Sequence, residues 1–82
     1  MSFKPNDIQL SILSDLDFDN SNEPELITNP FSGKTVKLDQ RGTAIYDYVK
    51  GCEMAGMYNE EAAQAKAMFA GFYPNEYMLL LD

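Results

Sequence analysis

The sequence predicts an α+β fold that is mostly α: a β-hairpin packed on two or three short helices, preceded by an extended or partly helical N-terminal arm. Three observations predict it. Ile45, Tyr48, Val49 and Cys52 fall at i, i+3, i+4 and i+7, one face of a 3.6-residue helix. Two β-prone runs flank a turn-forming N-P-F-S-G at 29–33. Tyr73-Pro74 closes a second apolar stripe, because the residue before proline is pushed out of the helical region. The chain then divides into an arm and linker over 1–24 and a hairpin-plus-helices domain over 25–82.

Within 1–24, Ile8, Leu10, Ile12, Leu13, Leu16 and Phe18 are interleaved with Ser and Asp. Ile8, Leu10 and Ile12 fit a strand. Ile8, Ile12, Leu13 and Leu16 fit a helix capped by Asp7 or Asn6. Periodicity does not separate the two in so short a run. D-N-S-N-E-P-E then has linker composition. An acidic segment with apolar anchors suits an arm that orders on a partner. The other reading is a segment packed across its own domain.

Leu26-Ile27-Thr28 and Thr35-Val36-Lys37-Leu38 form the hairpin strands. Val36 and Leu38 share one face, and Leu26 is expected to join them. A lone hairpin is unstable and must pack on the helices. The first clear helix lies within Leu38 to Tyr58. Asp39 is the N-cap, accepting from free N–H groups of the first turn and facing the positive end of the helix dipole. Tyr46 lies off the apolar stripe and is expected to face a partner. Gly51 marks either close approach by another element or plain tolerance. Gly56 is the stop, since glycine enters the left-handed region freely. Asn59 caps the next helix, with Glu60 and Glu61 in its first turn and Ala62, Ala65, Met68, Phe69 and Phe72 as its stripe. The short link implies an antiparallel pair. A last short helix follows Tyr73-Pro74, with Tyr77, Met78, Leu80 and Leu81 available for burial.

The 82 residues allow one domain, with a core small enough to expect support from an oligomer or a partner. Thirteen acidic residues against six basic ones give a net charge of −7. That balance argues against a nucleic-acid backbone or an anionic membrane as partner and favours a basic protein surface. One cysteine excludes an internal disulfide, and Cys52 on the apolar stripe reads as a buried small residue. No apolar run is long enough for a transmembrane helix. The N-terminus lacks signal-peptide character, so synthesis in the cytoplasm without secretion is expected.

Several motifs imitate chemistry. Asp15, Asp17 and Asp19 open like a calcium loop, but Asn20 stands where glycine is required and Leu26 where glutamate is required. A solvated acidic linker explains them. Gly33-Lys34-Thr35 resembles the end of a phosphate-binding loop, yet the earlier glycine is Thr28 and a strand follows. Asn29-Pro30-Phe31 matches a linear motif of trafficking domains, but turn formation accounts for it. Histidine is absent, removing the usual general base and commonest metal ligand. Glu53, Glu60 and Glu61 read as solvated or capping carboxylates. The expectation is a protein that is not an enzyme and has no cofactor or metal.

Tyr46, Tyr58, Tyr73 and Tyr77 cannot all be buried in so small a core, and tyrosine is enriched at interfaces. Partner-binding residues are therefore expected on the arm, at Ile8, Leu10, Ile12, Leu13, Leu16 and Phe18, and on a second surface at Tyr46, Tyr58 and Tyr77.

N-P-F-S-G at 29–33, A-I-Y-D-Y-V-K-G-C-E at 44–53 and Y-P-N-E-Y-M-L-L-L-D at 73–82 together resemble small uncharacterised proteins of tailed bacteriophages. The resemblance spans about the last two-thirds of the chain and carries over no catalytic residue. It implies a small non-enzymatic protein: a virion accessory piece docking on a larger capsid or tail protein, or an acidic inhibitor of a host factor. Carboxylates mixed with Arg41, Lys50 and Lys66 weaken nucleic-acid mimicry.

Overall fold

Asp39 begins the main helix by accepting the Gly42 N–H on its carboxylate at 2.7 Å. In the computed structural model, which describes residues 3–16, 18, 23–57 and 59–81, this helix is the fourth of six elements. They are α1 (Asp7–Asp15), β1 (Glu25–Thr28), β2 (Thr35–Leu38), α2 (Gln40–Met54), α3 (Glu60–Phe72) and α4 (Pro74–Leu80). The class is α+β and mostly α, with one antiparallel hairpin.

The hairpin pairs Glu25 with Leu38, Leu26 with Lys37, Ile27 with Val36 and Thr28 with Thr35. Directly opposed residues share a face, so this register corrects one expectation. Ile27, not Leu26, joins Val36 on the inner side, and Leu26 points to solvent beside Lys37. The inner face packs on α2 and α4.

At the end of α2, Gly56 adopts φ +71°. Its N–H reaches the Glu53 carbonyl at 3.2 Å, and Met57 N–H reaches the Cys52 carbonyl at 2.8 Å. The pair forms a Schellman stop that satisfies two terminal carbonyls. Asn59 then caps α3 through Ala62 N–H at 2.9 Å. α3 ends at Phe72, and Pro74 opens α4, where its missing N–H costs nothing.

The core holds Ile12, Val36, Leu38, Ile45, Tyr46, Val49, Ala65, Met68, Phe69 and Leu80. Cys52 is buried, as its place on the stripe predicts. Tyr46 is a correction: it is buried, its ring 6.0 Å from that of Phe69. α2 is covered by the hairpin as well as by α3, so its buried arc is wider than one stripe.

The N-terminal segment is part of this core. α1 packs on α3, and Ile12 is only 6% exposed. The Cα radius of gyration is 12.2 Å, against about 12 Å for a compact chain of this length. Most of the expected linker, residues 19–22, lies outside the described residues.

Gly51 has nothing within 4 Å of an added Cβ among the described residues, so tolerance explains it. The close approach occurs at Gly42, where a Cβ would stand 2.9 Å from Tyr73 Cζ and 3.2 Å from Leu38 Cδ2. Among the described residues no helix is long and apolar enough to cross a membrane.

Candidate interaction surface

α1 starts with a capping box. Asn6 Oδ1 accepts Gln9 N–H at 2.8 Å, and Gln9 Oε1 accepts Asn6 N–H at 2.9 Å. The same side chains fasten the helix to α3. Asn6 Nδ2 donates to Gln64 Oε1 at 3.0 Å, and Gln9 Nε2 donates to the Gln64 carbonyl at 3.2 Å. Upstream, the Phe3 ring meets Phe72 edge-on at 4.9 Å and covers Gly71, where a Cβ would overlap it. Phe3 therefore sits by the end of α3 and Asp15 by its start, so the two helices run antiparallel.

This docking sorts the expected partner residues. Ile12 is buried, while Leu13, Leu16 and Phe18 are half-buried. Ile12 is thereby withdrawn from the partner surface, because α3 occupies its side of the helix. Ile8 and Leu10 remain 39% and 48% exposed. Tyr46 is withdrawn as well, Tyr77 is half-buried, and Tyr58 lies outside the described residues. Among the described residues of the set no single surface is assembled; Ile8 and Leu10 remain exposed on a pinned helix.

Beside them runs a cleft of about 310 Å³ between α1 and α3, lined by Asp7, Ile8, Ser11, Ile12, Asp15 and Glu61. Ile8, Ser11, Ile12 and Asp15 are one helical stripe. Three carboxylates and no cation stand among these lining residues. Asp15 also occupies the last turn of α1, where a negative charge meets the negative end of the helix dipole. Tyr48 of α2 has its phenol pKa raised, first by burial and then by the charges of Cys52, Glu61 and Asp15. Among the described residues no group of three or more His, Cys, Asp or Glu side chains is placed to hold a metal ion.

The tip of the hairpin is a second feature that residue type alone did not disclose. Asn29 closes the turn with its backbone, accepting Gly33 N–H and donating to the Lys34 carbonyl, both at 2.8 Å. Its side chain accepts Phe31 N–H at 2.8 Å and donates to the Leu79 carbonyl of α4 at 2.9 Å. Gly33 takes φ +76°, which glycine adopts without strain. The turn holds Phe31 at 92% exposure. The signal in the sequence was the Asx-turn chemistry; the tie to Leu79 required the fold.

A polar cluster locks α2 to the α3–α4 junction. Tyr73 donates its hydroxyl to Asp39 Oδ1 at 2.6 Å and accepts Arg41 Nε–H at 3.0 Å. The Arg41 guanidinium lies 4.0 Å over the Phe72 ring. Burial, then the bond to Asp39, pushes the Tyr73 pKa up to about 12. Asp47 has its carboxyl pKa raised by burial and by Glu25. These contacts are internal and join elements to one another.

Comparison with family models, with curated proteins and with solved structures finds no match to this chain.

Proposed function

We propose that this chain is a non-enzymatic protein–protein interaction module. On the resemblance of its last two-thirds to small phage proteins, we assign it as a virion accessory component that docks on a larger capsid or tail protein. The observation that carries this reading is the pairing of Ile12, locked in the core, with Leu10 and Ile8, left exposed on the same helix. Such a helix presents apolar anchors without an ordering cost at the moment of binding.

The test is affinity capture from phage-producing cells with crosslinking and mass spectrometry. Wild type is compared with Leu10→Glu, a change at a position whose side chain the core does not use. Recovery of a capsid, portal or tail protein that Leu10→Glu abolishes supports the reading. Equal recovery by the variant contradicts it. A second reading, an acidic inhibitor of a basic host site, draws on Asp7, Asp15 and Glu61 around one cleft. It predicts capture of a host enzyme that moderate salt releases, because exposed charge pairs are screened.

A further inference from the structure

The cleft and the hairpin tip are complementary. Residues 26–38 contain Lys34 and Lys37 and no carboxylate, in a chain of net charge −7. Both lysines are exposed: Lys34 is in the turn, Lys37 lies farther down β2 by Glu23, and Phe31 stands at the tip at 92% exposure. The cleft offers the reverse: an apolar stripe at Ile8 and Ile12 with Asp7, Asp15 and Glu61 among its lining. A cation delivered beside Asp15 also meets the unfavourable dipole end of α1, whose last turn holds no basic residue. The tip is preorganised by the Asn29 bonds, by the Ser32 hydroxyl accepting Lys34 N–H at 3.2 Å, and by the Thr28–Thr35 hydroxyl pair at 2.9 Å. Rigid presentation of an aromatic anchor lowers the entropy cost of inserting it.

We propose that the hairpin tip of one copy docks in the α1–α3 cleft of a second copy, with Phe31 over Ile8 and Lys34 facing the cleft carboxylates. A molecule does not fill its own cleft, since its Phe31 is exposed and its hairpin packs on α2 and α4. Donor and acceptor surfaces differ, so the contact is heterologous. Each added copy keeps a tip or a cleft open, and the product is a ring or an open filament. This goes beyond the docking reading and shares Ile8 with it; Leu10→Glu, outside the cleft lining, tests that reading, and Phe31→Ser tests this one.

Sedimentation velocity of the full chain from about 10 µM to about 1 mM, the range of weak contacts, tests it. The weight-average sedimentation coefficient rises with concentration, and the rise shrinks with added salt. Phe31→Ser, which alters only the tip, lowers the association constant at least about tenfold. Asp15→Lys with Glu61→Lys, which alters only the cleft, does the same; its opposing effects at two helix ends leave the melting temperature near wild type. Mixing the two variants restores one tip and one cleft and gives a one-to-one dimer that grows no further. A wild type that stays monomeric throughout, a Phe31→Ser protein that associates like wild type, or a mixture that stays monomeric each overturns the proposal.

Discussion

The hydroxyl of Tyr73 donates a 2.6 Å hydrogen bond to Oδ1 of Asp39, the same oxygen that accepts Gly42 N–H at 2.7 Å and caps α2. One carboxylate thus starts a helix and fastens its first turn to the α3–α4 junction. Arg41 donates to the phenol oxygen, and Gly42 lies against the ring. Removing the hydroxyl leaves the cap in place but breaks the fastening. Tyr73→Phe is expected to cost about 1–2 kcal/mol, toward the low end for bonds to charged groups because the site is half-exposed. Urea unfolding measures it.

The same phenol sets a pH dependence. Its pKa is about 12 in the fold, against about 10 in the unfolded chain. Between those values the unfolded chain has released the proton and the folded one retains it. Stability is therefore full below about pH 10 and falls as pH rises toward about 12. Comparing pH–stability profiles isolates this contribution: Tyr73→Phe is expected to lose that part of the decline and keep the part due to Tyr48, whose phenol pKa burial also raises.

Two glycines of α2 are expected to respond in opposite directions. Gly51→Ala meets nothing within 4 Å among the described residues, so it gains about 0.5–1 kcal/mol of helix propensity. Gly42→Ala has the same propensity gain but drives a methyl to 2.9 Å from Tyr73 Cζ. That ring is held by Asp39 and Arg41, and overpacking costs about 1–3 kcal/mol. Thermal melts of the two variants should move in opposite directions.

Thr43 is buried, and its Oγ1 has no hydrogen-bond partner among the described residues. Thr43→Val keeps the branched shape and removes the unsatisfied hydroxyl. It is expected to stabilise by about 1 kcal/mol, read as a higher denaturation midpoint at unchanged slope.

Ile12→Ala tests whether the N-terminal segment belongs to the core. A buried Ile→Ala change costs about 2–5 kcal/mol. Against a total of about 5–15 kcal/mol for a small domain, that is a large share. A free arm would show almost no change in the same urea titration.

The local chemistry was legible in the sequence. Asp39 and Asn59 announced helix starts by residue type, Gly56 announced a stop, and N-P-F-S-G announced the turn, because each acts through its own backbone neighbourhood. What depended on the partner surface was not legible. Leu26 and Ile27 are adjacent and equally apolar, and only the register against Val36 decides which is inside. Tyr46 is buried because two elements cover α2, which one helical stripe does not encode. Gly42 and Gly51 look alike until Tyr73 is placed beside one of them. The N-terminal segment was ambiguous because its fastening runs through Gln64, a residue 55 positions from Gln9, and through Phe3 on Gly71. The candidate site followed the same rule: residue type singled out Ile8 and Leu10, but the cleft with Glu61 and the aim of Phe31 came from tertiary packing.

Whether residues 7–16 form a fixed platform, on which the interaction reading depends, is measured most directly by native-state amide exchange. The amides of Leu10 and Leu16 donate to the carbonyls of Asn6 and Ile12 at 2.8 and 3.1 Å. They are expected to exchange in the same cooperative unit as amides of α2 and α3, with protection that rises and falls with global stability. Exchange of α1 at the rate of an open chain, while α2 and α3 stay protected, would contradict the docked helix and return the segment to an arm that orders only on a partner.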